Sequence, residues 1–190
     1  MTDRIKSVVQ ASIDLKKMML LDEALITRIQ TVAVIVVKCF KAGGRVWFCG
    51  NGGSAADAQH LATEFSGRFY HDREPLPACA LHCDTSFLTA VANDYSFAQV
   101  YERMIKAQGR KGDVLFGIST SGTSENVRLA QVEAQRRGIT VVSFTGATGG
   151  RLKDCCDFLF NVASTDTPRI QEAHILIGHI ICQLAEEGMM

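Results

Sequence analysis

The chain has little of what would commit it to a nucleic acid, a membrane or an oxidising compartment. Its charges cancel, 20 Lys and Arg against 20 Asp and Glu, so no overall field draws it to a polyanion or an anionic bilayer. No apolar run is long enough to span a bilayer, and the opening stretch MTDRIKSVVQ is polar where a secretory signal would be apolar. Only three prolines occur, with no repeat and no low-complexity tract, which argues against a linker or a domain break. The seven cysteines are odd in number and form no CxxC pair. That usage suits reduced core thiols in the cytoplasm rather than a disulfide framework, and the adjacent Cys155 and Cys156 read first as small apolar residues.

What is present is a hydrophobic content of 47% in 190 residues, enough for one substantial core. Two helical patterns open the chain, 5–20 and 22–41. The second carries Leu25, Ile29, Val32, Ile35, Val36 and Phe40 on one face and stops at Gly43-Gly44. Short apolar runs at 45–49, 78–81, 114–118, 140–144 and 158–162 then alternate with helical patterns at 54–67, 85–92, 97–108, 125–137 and 151–155. A last helix is expected from Thr167 to Glu187, with Pro168 in its first turn. The alternation predicts an α/β fold, a five-stranded parallel sheet with helices on both faces, preceded by extra N-terminal helices.

In such folds ligands gather beyond the carboxyl ends of the strands, and each conspicuous polar loop here follows a strand. STSGTSEN at 119–126 masses hydroxyls (Ser119, Thr120, Ser121, Thr123, Ser124) around one Gly, ahead of a helix. It lacks the Lys of a nucleotide P-loop, so its expected guest is a phosphate held by neutral donors on a helix N-terminus. GNGGS at 50–54 brings Asn51, Gly52 and Gly53 to a second strand-to-helix turn, without the third glycine of a dinucleotide fingerprint. CDTS at 83–86 and TGATGG at 145–150 follow two more strands. Asn93-Asp94 lies between two helical patterns, as a turn former or a partner for sugar hydroxyls.

Groups able to do chemistry fall on two helices. His60 and Glu64 are four apart and share a helix face, as a metal pair or a surface ion pair. The last helix adds Gln171, Glu172, His174 and His179, the last inside the apolar run ILIGHIIC, where a core histidine is the competing reading. Spacing alone favours Glu172 as the partner of His179, seven residues on, over the more offset Gln171. Helix geometry does not decide between them.

The segments CGNGGSAADAQHLATEFSGRF, LTAVANDYSF, GDVLFGISTSGTSENV and STDTPRIQEAHILIGHIICQLAEE resemble, in order and over nearly the whole chain, the phosphoheptose isomerases of the sugar isomerase (SIS) family. The resemblance implies an αβα sandwich in a single SIS domain over 1–190, with helices 1–42 for packing and oligomerisation and a phosphosugar-binding core over 43–190. It implies an aldose–ketose isomerase acting on sedoheptulose 7-phosphate through an enediol, giving D-glycero-D-manno-heptose 7-phosphate for nucleotide-activated heptose synthesis. Carried over, Asn51, Gly52, Gly53, Asn93 and Asp94 contact the sugar. Ser119, Thr120, Ser121 and Ser124 hold its phosphate. His60, Glu64, Gln171 and His179 bind one Zn²⁺ per subunit, Glu64 and His179 form the catalytic pair, and Gln171 and Glu64 also touch substrate. The resemblance thus prefers Gln171 to Glu172. Thr123 stands where Asn or Lys is often found in the family's loop, outside the carried-over set. A cytoplasmic homotetramer with sites where subunits meet is implied as well. Two alternatives remain: a non-catalytic SIS protein that binds a replication initiator, and an isomerase or sensor of another sugar phosphate.

Overall fold

The computed structural model describes residues 1–190 and bears out the expected α/β alternation. Helices α1 (Thr2–Leu20) and α2 (Glu23–Lys41) lead into β1 (Val46–Gly50), α3 (Gly53–Ser66), β2 (Ala78–Ala80) and α4 (Thr85–Asp94). A 3₁₀ turn at Phe97–Gln99 precedes α5 (Val100–Gln108), β3 (Val114–Ser119), α6 (Glu125–Arg136) and β4 (Thr140–Thr145). A second 3₁₀ turn, Leu152–Cys155, replaces the short helix expected there and leads to β5 (Phe158–Asn161) and α7 (Thr167–Glu187).

All strand pairs are parallel and the order is β2-β1-β3-β4-β5. The strands alternate between two cores. Val46, Phe48, Phe116, Ile118, Val142 and Phe144 face α2, α3 and α7. Trp47, Cys49, Leu115 and Val141 face α5 and α6. Burial on both faces is why these runs read as continuously apolar. The strand order reverses between β1 and β3, so the crevice of the sheet opens where GNGGS and STSGTSEN leave their strands.

Helices α3 and α7 lie side by side and point the same way, each leaving the carboxyl edge of the sheet. At their far ends Glu186, 1% exposed, accepts hydrogen bonds from the N–H groups of Phe69, Tyr70 and His71 at 2.8–3.1 Å and pairs with Arg73 Nε at 2.9 Å. Arg73 also donates to the carbonyls of Phe65 and Glu64, so the clamp fixes the end of α3 against α7. Glu186→Ala leaves a buried guanidinium and three N–H groups without their acceptor. It is expected to cost about 3–5 kcal/mol of stability, measured by denaturant unfolding.

Candidate active site

The polar loops are cross-linked before any ligand is considered. The amides of Asn51 and Asn126 exchange two hydrogen bonds of 2.9 Å, tying the turn after β1 to the start of α6. Asn126 is 4% exposed and was not singled out from the sequence. Its signal is an amide at the first turn of a helix, opposite another loop amide. Asn51 spends its side chain on this bridge, so what the turn offers a ligand is its main chain. The N–H groups of Gly52 and Gly53 donate to no main-chain acceptor at the α3 N-terminus.

In the hydroxyl-rich loop Ser119 Oγ lies 2.8 Å from Ser124 Oγ and 3.4 Å from Ser121 Oγ, and Ser121 Oγ 2.8 Å from Thr123 Oγ1. The N–H groups of Thr120, Ser121, Ser124 and Glu125 donate to no main-chain acceptor. The following loop supports this one from outside, since Arg151 N and Leu152 N donate to the Gly122 carbonyl and Gly146 N to that of Thr120. Hydroxyls and free N–H groups at the start of α6 are the donors an anion would require.

Asn93 and Asp94 prove to be the last two residues of α4 rather than an inter-helix turn. They are exposed and bonded to each other, Asn93 Nδ2 to Asp94 Oδ1 at 2.9 Å. Nothing within one chain ties them to the other loops.

The chemistry-bearing groups meet in the seam between α3 and α7. His60 Nε2 is 3.0 Å from Glu64 Oε1 and 2.9 Å from His179 Nε2, and the three ligand atoms lie within 4.8 Å of one another. Gly178 makes this approach possible, because a Cβ there would stand 2.5 Å from Leu61 Cδ1. His179 is therefore a half-buried seam residue rather than a satisfied core histidine. Burial pulls its imidazole below the usual range, the His60 ring beside it does the same, and Glu64 opposes both. The core histidine of this helix is His174, fully buried, bonded through Nε2 to the Thr145 carbonyl at 3.0 Å and pushed down by burial to about 4.

Glu172, despite its spacing, does not turn toward His179. Glu172 accepts from Ser12 Oγ at 2.7 Å and pairs with Arg169 and Lys16, so α1 has drawn it away from His179. Gln171 lies eight residues before His179, about 12 Å along the axis, with its amide against Gly53. In this rotamer it belongs to the glycine turn.

Two imidazoles and one carboxylate on a single point fit one divalent metal ion. Bond lengths of about 2.0–2.2 Å to nitrogen and oxygen place tetrahedral ligand atoms roughly 3.3 Å apart, close to the 2.9 and 3.0 Å that separate His60 Nε2 from His179 and Glu64. Three protein ligands also leave a position for substrate, the pattern of catalytic rather than structural sites.

A family model for the SIS domain matches residues 15–146. A phosphoheptose isomerase of Clostridium acetobutylicum is 50% identical over 189 residues, covering 100% of this chain and 96% of that protein. One from Aneurinibacillus thermoaerophilus is 49% identical with the same coverage. Among solved structures, the phosphoheptose isomerase of Neisseria gonorrhoeae superposes with a TM-score of 0.91 at 40% identity, and that of Francisella tularensis with 0.93 at 37%, each over 98% of both chains. The fold, the loops at its switch point and the full-length likeness agree: the chain belongs to the SIS domain family, in its phosphoheptose isomerase branch.

Proposed function

We propose that this chain interconverts sedoheptulose 7-phosphate and D-glycero-D-manno-heptose 7-phosphate, as an aldose–ketose isomerase supplying heptose for nucleotide activation. The observation that carries the reading is the meeting of Glu64 and His179 at one imidazole, His60, which lies 119 residues before His179 in sequence. A protein that only bound an initiator or sensed a sugar would have no use for a base and an imidazole in contact. The full-length relatives favour the heptose phosphate over other sugar phosphates.

The isomerisation moves a proton between two adjacent carbons while a carbonyl and a hydroxyl exchange places. Glu64 takes the proton from the carbon beside the ketose carbonyl and returns it to the neighbouring carbon. His179, neutral near pH 7 because its imidazole is held below the ordinary range, offers both a donor and an acceptor nitrogen and moves protons at the two oxygens. Ser119, Thr120, Ser121 and Ser124 hold the phosphate. The main chain of Asn51, Gly52 and Gly53 and the Gln171 amide face the sugar hydroxyls.

Zn²⁺ would be held by His60, Glu64 and His179, with Glu64 and His179 alternating between ligation and proton transfer, and when bound it would polarise the carbonyl. Gln171, the fourth ligand implied by the family, has its amide against Gly53 instead. Dialysis against a chelator is expected to remove activity and Zn²⁺ to restore it. Full turnover by protein shown to be metal-free would sink the metal assignment and leave the isomerase reading standing. The defining experiment is turnover of sedoheptulose 7-phosphate by the purified protein, beside a panel of other ketose phosphates. Preference for another substrate, or binding of a replication initiator without turnover, overturns the assignment.

The assembly belongs to the same reading. Helix α1 exposes Ile5 (60%), Val8 (46%), Val9 (54%) and Ile13 (42%), apolar surface that a second copy would cover. A homotetramer built through helices 1–42, with core 43–190 carrying the site, would let Asn93 and Asp94 of one subunit serve a pocket of another. A cytoplasmic location agrees with free, partly buried cysteines, and no helix is long and apolar enough to cross a membrane.

A further inference from the structure

The loop after β4 ends in Gly149, Gly150 and Arg151 and braces the hydroxyl-rich loop from outside. Gly150 and Gly122 meet main chain to main chain, and a Cβ on either would run into the other's backbone. The main-chain bonds across this contact all end on carbonyls of the hydroxyl-rich loop. Gly146 N donates to Thr120 at 2.9 Å, and Arg151 N and Leu152 N donate to Gly122 at 2.8 and 3.0 Å. The Arg151 side chain extends the series. Its Nη2 donates to the Thr123 carbonyl at 3.1 Å and lies 3.1 Å from Glu125 Oε2. Arg128 holds the same carboxylate, Nη2 to Oε1 at 2.6 Å and Nε to Oε2 at 3.0 Å.

In a trans peptide the C=O and the following N–H point in opposite directions across one rigid plane. A carbonyl anchored from outside therefore aims the next residue's N–H inward. The anchored carbonyls of Thr120, Gly122 and Thr123 carry the N–H groups of Ser121, Thr123 and Ser124. Thr123 N is turned to Ser121 Oγ at 3.2 Å, which leaves Ser121 and Ser124 as the free donors. Main-chain bonds account for the first. Arg151 accounts for the second, because its guanidinium is the one donor to the Thr123 carbonyl. A carbonyl engaged by a cation is also polarised, which strengthens the N–H of the same peptide.

We infer that Arg151 is a positioning residue for the phosphate: its guanidinium, resting on Glu125, anchors the Thr123 carbonyl and so aims the Ser124 N–H into the phosphate cradle. The inference rests on the phosphate reading of that loop. The Arg151 side chain is 59% exposed, and an ion pair so exposed contributes little to stability. Its use is the geometry of the loop. The Arg128 guanidinium, and Arg151 with it, hold the Glu125 carboxyl below the usual carboxylate range, so the rest for Arg151 stays ionised.

The test uses the full-length protein with Arg151→Met, which keeps the apolar stem and the main-chain bonds of residue 151. Arg151→Lys is made beside it, since one lysine nitrogen can reach both acceptors as Nη2 does. Inorganic phosphate affinity is read by phosphorus NMR titration, KM and kcat with sedoheptulose 7-phosphate, and the fold by thermal unfolding. Arg151→Met is expected to bind phosphate about tenfold more weakly, the low end of what a hydrogen bond to a charged group is worth. KM should rise by a similar factor, with the smaller part of the loss in kcat and the thermal midpoint unmoved. Arg151→Lys should recover most of the loss. An Arg151→Met variant that binds phosphate within about twofold of the parent, or a lysine that recovers nothing, overturns the inference alone. A parent that binds no inorganic phosphate overturns the phosphate reading of the loop and this inference together.

Discussion

Glu64→Gln is expected to lower kcat for sedoheptulose 7-phosphate by about 10²–10⁴-fold, the usual worth of a positioned general base. The amide keeps the size and one oxygen of the carboxylate but cannot take a proton. The loss should therefore fall on kcat far more than on KM. The fold should survive, because the clamp that holds this end of α3 uses the Glu64 main-chain carbonyl, which accepts from Arg73 at 2.9 Å. Metal content must be measured alongside, since Glu64 is also a candidate ligand. A variant that stays inactive when saturated with Zn²⁺ has lost the base and not the ion. His179→Gln should fall by a similar factor. Because Glu64 and His179 would act as one unit, the double variant should lose little more than the worse single one. Near-normal turnover by either single variant removes that residue from the chemistry.

Most of the fold is written locally. The α2 stop at Gly43-Gly44, the buried strands and the proline in the first turn of α7 each rest on a few adjacent residues, and the elements begin and end within a few residues of expectation. Asn93 and Asp94 show where this fails: turn chemistry suggested a break, yet the helix runs through both. The site was legible as residue types on two helix faces, but its pairings were not. Glu172 has the better spacing toward His179, and only the tertiary return of α1 over the start of α7, with Ser12 2.7 Å from its carboxylate, takes it elsewhere. Asn126 and Glu186 escaped for the same reason, because their partners, Asn51 and the 69–73 segment, are 75 and at least 113 residues away. No periodicity encodes such contacts. The resemblance supplied the preference for Gln171 over Glu172 that spacing did not settle, and it alone paired Glu64 with His179.

Removing the phosphate from the substrate should cost as much as removing the base. Free sedoheptulose keeps every atom that reacts, so a loss in kcat/KM measures what the loop contributes at a distance from the chemistry. Hydrogen bonds to a charged group are worth about 1.5–3 kcal/mol each, and the loop presents the hydroxyls of Ser119, Ser121 and Ser124 together with free N–H groups at the start of α6. Three such bonds give roughly 5 kcal/mol, or a fall of about 10³–10⁴-fold in kcat/KM. Some of that loss should appear in kcat, because binding energy from the remote end orients the reacting carbons. Gly122→Ala probes the same loop from the protein side. Gly122 has φ +66°, and a Cβ there would run into the Gly149 carbonyl oxygen, so the substitution must displace the backbone that shapes the cradle while leaving the α3–α7 seam alone. It should raise KM for the phosphorylated sugar and weaken inhibition by inorganic phosphate, yet leave the slow turnover of free sedoheptulose unchanged. If free sedoheptulose turns over within tenfold of its phosphate ester, or if Gly122→Ala slows both substrates equally, the hydroxyl-rich loop is not where the phosphate binds.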